Sequence, residues 1–193
     1  MEFVASVNLL NEKKIDKKFL TYLEKNIVNY SDHTSTPVVI GFKSLGNLLD
    51  IKTEAIIKFK KILIECLKNY RKCHLNKSSI LISKWPKKFN INAWYIRLSK
   101  GGEVTSHVHN GWVSGVFYVK KQKTNGKSNV GELEISYRYK NLPIKNKKFP
   151  KKIINSESGE LVLFPSSLPH RVLPFNSKKE RLSIAFDAVP KLL

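Results

Sequence analysis

The sequence predicts an α+β protein, mainly β: a small barrel or jelly roll backed by helices from its N-terminal half. Three observations carry this. Up to about residue 72, apolar residues recur with helical spacing. From residue 91 that periodicity disappears, and about eight short β-rich runs alternate with Gly, Asn, Lys and Pro turns. A chain of 193 residues, 41% hydrophobic and 10% aromatic, is long and apolar enough for one domain with a real core and excludes a disordered chain. The expected organisation is a single domain over 1–193, with a helical front (1–90) packed on a barrel core (91–190).

Each element has its own signal. Between residues 13 and 29, the positions Ile15, Phe19, Leu20, Leu23 and Ile27 mark an amphipathic helix. Residues 35–43, led in by Pro37, predict a short strand. A second helix is expected over 51–72, with Ile56, Phe59, Ile62, Leu63, Leu67 and Tyr70 on one broad face and Asp50 or Thr53 as its cap. Lys residues line the opposite side of both helices. Residues 74–90 read as a loop with one short apolar stretch. Strands are expected near 91–98, 104–109, 113–119, 132–137, 151–154, 160–164, 170–173 and 181–188. Two Lys-rich stretches, 120–128 and 140–152, interrupt the strand pattern as hairpin loops. The second is long enough to act as a lid.

The net charge of +20 raises the question of a nucleic-acid partner. Nearly all of it is Lys, with Arg only at 71, 97, 138, 171 and 181, and Arg is the residue suited to forked phosphate contacts. Lys, Asn and Ile are abundant together, as an AT-rich genome would produce by codon bias. A solvated basic surface is therefore favoured over a nucleic-acid interface, and an anionic substrate is the other reading of the charge. No apolar run approaches the roughly 20 residues of a membrane span. The first residues lack a basic region followed by an apolar one, so no signal peptide is expected. Cys66 and Cys73 read as two thiols near a helix face in a reducing compartment. The chain reads as cytoplasmic.

Two segments carry the chemistry. The first runs Ser106-His107-Val108-His109-Asn110-Gly111-Trp112-Val113-Ser114-Gly115-Val116-Phe117-Tyr118. The second spans Gly159 to Asp187 and holds Pro165, His170, Arg181 and Ser183. Histidines two apart on a strand share a face. A third, His170, comes from a strand far along the chain and can close the same metal ion. Imidazole suits iron, and also zinc, copper and nickel. Arg181 lies eleven residues after His170, with Ser183 two further on the same face. That pair offers a fork and a hydroxyl to a carboxylate. His33 and His74 lack companions and read as ordinary surface or loop histidines.

These segments resemble the iron(II)- and 2-oxoglutarate-dependent dioxygenase superfamily. They are most similar to an oxygenase family within it that carries a His-x-His…Trp-x-Ser-Gly-x-x-Tyr block, a Gly-x-Leu-x-Phe-Pro-Ser-x-x-x-His block and an Arg-Leu-Ser-x-Ala-Phe-Asp ending. The matching stretches are 107–118, 159–170 and 181–187. The resemblance implies a double-stranded β-helix with the metal at its open end, and Fe(II), 2-oxoglutarate and O2 as the reacting set. It implies His107 and His170 as ligands, and Arg181, Ser183 and Tyr118 on the far carboxylate of 2-oxoglutarate. Asn92 is assigned to the co-substrate side, with Trp94 and Trp112 as pocket walls. It implies an oxygenase, expected to be a hydroxylase of a small molecule or peptide, that couples decarboxylation of 2-oxoglutarate to succinate with substrate oxidation.

One departure matters. The usual superfamily motif is His-x-Asp or His-x-Glu, and here the second position is His109. A carboxylate ligand would lower the charge of the centre by one; a neutral imidazole does not. Two readings stay open: His109 ligates, or it stands behind the ligands while water or a carboxylate such as Glu132 fills the position. Two rivals to the whole reading also stand. A cupin-type metal enzyme shares the barrel and the His-x-His spacing, but 110–119 lacks the acid that its motif expects. A basic nucleic-acid-binding protein on a relic barrel would use Lys120, Lys121, Lys123, Lys127 and the run from Lys145 to Lys152.

Overall fold

The computed structural model describes residues 1–27, 32–33, 36–121, 131–138 and 149–191. In chain order, a short strand β1 (Ala5–Asn8) leads to helix α1 (Lys17–Ile27), the two-residue strand β2 (Asp32–His33) and strand β3 (Val38–Ser44). Helix α2 (Glu54–Cys73) and the single-turn α3 (Ile80–Ser83) complete the helical part. Seven strands follow: β4 (Phe89–His107), β5 (Val113–Lys120), β6 (Leu133–Ser136), β7 (Lys151–Ile154), β8 (Glu160–Pro165), β9 (His170–Phe175) and β10 (Arg181–Pro190). They hydrogen-bond in the order β1-β8-β5-β10-β4-β9-β6-β7, with β3 also on β4 and β2 on β3. All pairings are antiparallel. This curled sheet is the jelly-roll fold.

Both helices begin where a side chain caps them. Thr53 accepts from the Ile56 amide and starts α2, one of the two expected caps. The Asp16 carboxylate accepts from the Phe19 amide at 2.7 Å, so α1 starts at residue 17 rather than 13. The expected strands 91–98 and 104–109 are one strand, β4. Gly101 and Gly102, in the gap between those two expected strands, bend β4 without ending it. Gly101 takes φ +85°, and a Cβ on Gly102 would lie 2.5 Å from the Ile40 carbonyl. The first half of β4 pairs with β10, and the second half crosses the corner to pair with β9. The strand β1 carries too few residues to show a period, and the sequence did not reveal it. In the expected lid, residues 140–148 lie outside the described residues, and Lys151 and Lys152 belong to β7.

The two faces of the sheet bury different things. On the outer face, Phe117 and Val119 of β5 and Leu182, Ile184, Phe186 and Ala188 of β10 pack under α1 and α2 in one apolar cluster, with Phe59 and Phe117 rings 5.0 Å apart. On the inner face Val116, Tyr118, Leu133, Ile135, Val162 and Phe164 line the barrel. Strand alternation then assigns Arg181, Ser183, Ala185 and Asp187 of β10 to the interior. All four are buried. No helix of the described residues is long and apolar enough to cross a membrane.

Candidate metal centre and co-substrate pocket

His107 ends β4 and pairs directly with His170 at the start of β9. His109 lies just past the strand, beyond the ladder, and its backbone N–H is held instead by the Ser166 carbonyl at 3.0 Å. The fold thus brings together two imidazoles two residues apart, His107 and His109, and a third, His170, 61 residues beyond the second. Their ring centroids are 4.8 Å (107–109), 4.3 Å (107–170) and 5.0 Å (109–170) apart. One nitrogen from each lies within 4.8 Å of the others. Among the described residues no acid joins this group.

Each ring has one nitrogen engaged from behind. His107 Nδ1 donates to the Thr105 carbonyl at 2.7 Å, and His170 Nδ1 to the Leu168 carbonyl at 3.0 Å. His109 Nδ1 lies 2.9 Å from Asp187 Oδ2. With Nδ1 as the donor in all three, each Nε2 keeps its lone pair for a metal. Burial pushes the His170 imidazole down to about 3, and the neighbouring His107 pushes the same way. Burial likewise lowers His107 against the pull of its Thr105 bond. These two rings are therefore held neutral, the form that ligates. The donor set fits a divalent metal with open positions.

A second cluster lies further along β10. Arg181 is fully buried; its Nε donates to the Gly131 carbonyl at 3.2 Å and its Nη1 to Ser183 Oγ at 2.9 Å. The guanidinium stands 5.0 Å over the Tyr118 ring. Three buried polar atoms meet here without a hydrogen-bond partner of normal geometry: Arg181 Nη2, the Tyr118 hydroxyl and Ser156 Oγ. Such orphans are costly unless something occupies the space between them. Lys121 adds a second cation, its Nζ donating to the Ser156 carbonyl at 2.8 Å and lying 5.3 Å from the Tyr118 ring. Burial, then Arg181, pushes the Lys121 ammonium down to about 8, opposed by Glu132 and Glu160. Burial raises the Tyr118 phenol, so it remains a donor. Two cations and two hydroxyls around orphaned donors fit a carboxylate. Between this pocket and the histidines the inward residue of β10 is Ala185, which has a small side chain.

The expected site residues thus divide. His107, His109 and His170 come together, as do Arg181, Ser183 and Tyr118. Asn92 pairs with Asp187 and is exposed at the histidine end, away from the Arg181 donors. Trp94 stands 5.6 Å from His109, with Lys43 Nζ 4.5 Å from the centre of its ring. Trp112 donates from its Nε1 to the Leu81 carbonyl, and its ring packs against the helical core. It lines a groove of about 480 Å³ with Phe3, Leu81 and Leu168, outside the barrel interior. Glu132 is absent from the histidine group, and its charge acts on Arg181 and Lys121. The sequence reading missed Asp187, Ser156, Lys121 and Lys43. Asp187 alone had a signal, standing on the face of Arg181 and Ser183 in the quoted ending. Of the two lysines assigned to a basic surface loop, Lys120 is exposed and pairs with Glu24, whereas Lys121 points into the barrel. Residues 122–128 of that loop lie outside the described residues.

The profile of a protein family described as "Putative 2OG-Fe(II) oxygenase" matches residues 92–187, the stretch that carries both clusters. The chain belongs to the 2OG-Fe(II) oxygenase family. As such it is a 2-oxoglutarate-dependent dioxygenase, working with Fe(II), 2-oxoglutarate and O2. Solved structures share the fold of this oxygenase at low identity. A Pseudomonas putida prolyl-4-hydroxylase aligns at TM-score 0.64 and 14% identity, over 98% of this chain and 93% of its own. HygX from Streptomyces hygroscopicus, with nickel, 2-oxoglutarate and hygromycin B bound, aligns at 0.64 and 10%, over 98% and 84%. A Trichoplax adhaerens prolyl hydroxylase, in complex with a hypoxia inducible factor peptide fragment, aligns at 0.57 and 15%, over 96% and 83%. No curated protein matches the chain in sequence.

Proposed function

We propose that this oxygenase is a hydroxylase in which His107, His109 and His170 hold Fe(II), and Arg181, Tyr118, Ser183 and Ser156 hold the far carboxylate of 2-oxoglutarate. The observation that supports it is the pairing of three inward Nε2 atoms with a buried, orphaned carboxylate-binding set on the same inner face. Bound iron supplies the oxidation: 2-oxoglutarate, O2 and a substrate C–H bond give succinate, CO2 and a C–OH group. The chain's own groups position and exclude. Arg181 and Lys121 orient the dicarboxylate by charge, Tyr118 and Ser156 donate to its oxygens, and the apolar inner wall of Val116, Val162 and Phe164 excludes water.

The substrate we propose is a small molecule or peptide bearing an anionic group. Lys43 supports this: its ammonium sits over Trp94 beside the histidines, and burial lowers its pKa while Asp187 opposes. The test is twofold. Fe(II)-loaded protein is assayed for O2-dependent succinate release, and candidate substrates are screened for gain of one oxygen atom. O2 consumption that does not require 2-oxoglutarate, with no succinate formed, would support the cupin-type alternative instead.

A further inference from the structure

His109 occupies the position where the superfamily motif carries an acid, and the acid is not missing from the site. It stands one ring further out. Asp187 Oδ2 lies 2.9 Å from His109 Nδ1, and both side chains are largely buried. The other carboxylate oxygen, Oδ1, is 2.6 Å from Ser114 Oγ, and the Ser114 and Ser166 hydroxyls are 2.8 Å apart. Ser114 has one proton and gives it to the carboxylate, so Ser166 supplies the proton of the second bond. Ser166 also accepts the His109 backbone N–H at 3.0 Å. The result is a closed ring of contacts, His109–Asp187–Ser114–Ser166–His109, around the one histidine that lies past the end of its strand.

The three histidines are not equivalent in this respect. His107 and His170 each lean on a neutral backbone carbonyl, whereas His109 leans on a carboxylate. An imidazole that donates to a carboxylate is a more basic ligand with a fixed tautomer and ring plane. We propose that Asp187, acting through His109, is the positioning residue that returns to the metal centre the negative charge a carboxylate ligand would bring. This rests on the three-histidine centre proposed above. The charged groups around it are few: Lys43 from β3 reaches Asp187 electrostatically, and Asn92 across the ladder on β4 is neutral. Asp187 makes no contact with substrate or co-substrate in this assignment; it acts through the ring.

The experiment is anaerobic Co(II) titration of the full chain, followed by the visible d–d bands, for the wild type, Asp187→Asn, His109→Asp and the double variant. Asp187→Asn should weaken Co(II) about 10- to 100-fold and shift the bands, because the ring loses its charged acceptor. In the His109→Asp background a carboxylate already sits at the metal, beside Asp187. There Asp187→Asn should leave affinity unchanged or raise it, by removing like-charge repulsion. A merely structural Asp187 would cost the same in both backgrounds, and that result overturns the proposal. Equal Co(II) affinity and bands in wild type and Asp187→Asn overturn it also, while leaving the centre intact. Failure of the wild type to bind Co(II) overturns the three-histidine centre itself. Ser114→Ala is the gentler variant: it keeps the carboxylate, removes one donor to it, and should weaken Co(II) by less than Asp187→Asn. A loss as large as or larger than that of Asp187→Asn counts against the proposal.

Discussion

Arg181→Met removes the cation from the proposed carboxylate pocket while nearly keeping its volume, and its cost follows from the surroundings. The guanidinium is fully buried, and Nη2 makes no hydrogen bond of normal geometry beside the Tyr118 hydroxyl. A unit-charge pair at about 4 Å is worth roughly 4 kcal/mol at an effective dielectric near 20. Removing one member of a buried ion pair costs about 3–5 kcal/mol. The dissociation constant for 2-oxoglutarate should therefore rise by about two to three and a half orders of magnitude. Tyr118→Phe removes one donor to a charged acceptor, about 1.5–3 kcal/mol, or one to two orders. The assay is anaerobic titration of Fe(II)-loaded protein with 2-oxoglutarate, read by the visible metal-to-ligand charge-transfer band. Co(II) binding serves as the control that the histidines are intact. Unchanged 2-oxoglutarate affinity in Arg181→Met with metal retained would refute the pocket. So would a larger loss in Tyr118→Phe than in Arg181→Met, since that inverts the charge argument.

Other outcomes follow from the same geometry. His107→Ala and His170→Ala should each lose Fe(II) in equilibrium dialysis, whereas His109→Asp should retain it; full retention in both alanine variants contradicts the ligand assignment. Lys121 carries a charge below about pH 8 in the fold. In Mn(II)-loaded protein, 2-oxoglutarate affinity should thus fall as pH rises through 8, and calorimetry of Lys121→Met should show a flatter profile. His170 has a folded value of about 3 against 6.5 when free, so the unfolded chain binds the extra proton between these limits. Its contribution to apoprotein stability is full above pH 6.5 and is lost as pH falls toward 3. Urea midpoints should decline over that window and decline less in His170→Gln. Gly131 takes φ +72°, and a Cβ there would lie 2.8 Å from Arg181 Cδ. Gly131→Ala should therefore lower the thermal midpoint and weaken 2-oxoglutarate together, and an effect on neither would contradict the close packing.

Local pattern made much of this protein legible. Helical spacing located α1 and α2, because one stripe of each must face the sheet. Alternation along β10 put Arg181 and Ser183 on one face before any fold was known, and the two-residue step grouped His107 with His109, although His109 lies just past the end of the strand. Asp187 received no role from that reading, although its face was already determined. A period states which side a residue takes; it is silent on what waits there. The Gly-Gly pair at 101–102 misled for a related reason, since the same residues that end a strand also let one bend around a barrel corner.

The remainder was decided by register between distant strands. His107 meets His170 because β4 pairs with β9 at that rung, and Asp187 meets Ser114 because β10 pairs with β5. Ser156 joins Tyr118 and Arg181 from a segment between strands, with no spacing to announce it. Lys121 resembles every other lysine of a basic chain until the barrel turns it inward beside Arg181. The sequence by itself determined the element types, the faces and the kind of chemistry, because each is a property of a few neighbouring residues. The tertiary structure alone decided which nitrogen of each imidazole is free, which carboxylate stands behind His109, and which donors converge without partners. Each of these is a contact across the sheet, set by hydrogen-bond register rather than by local period.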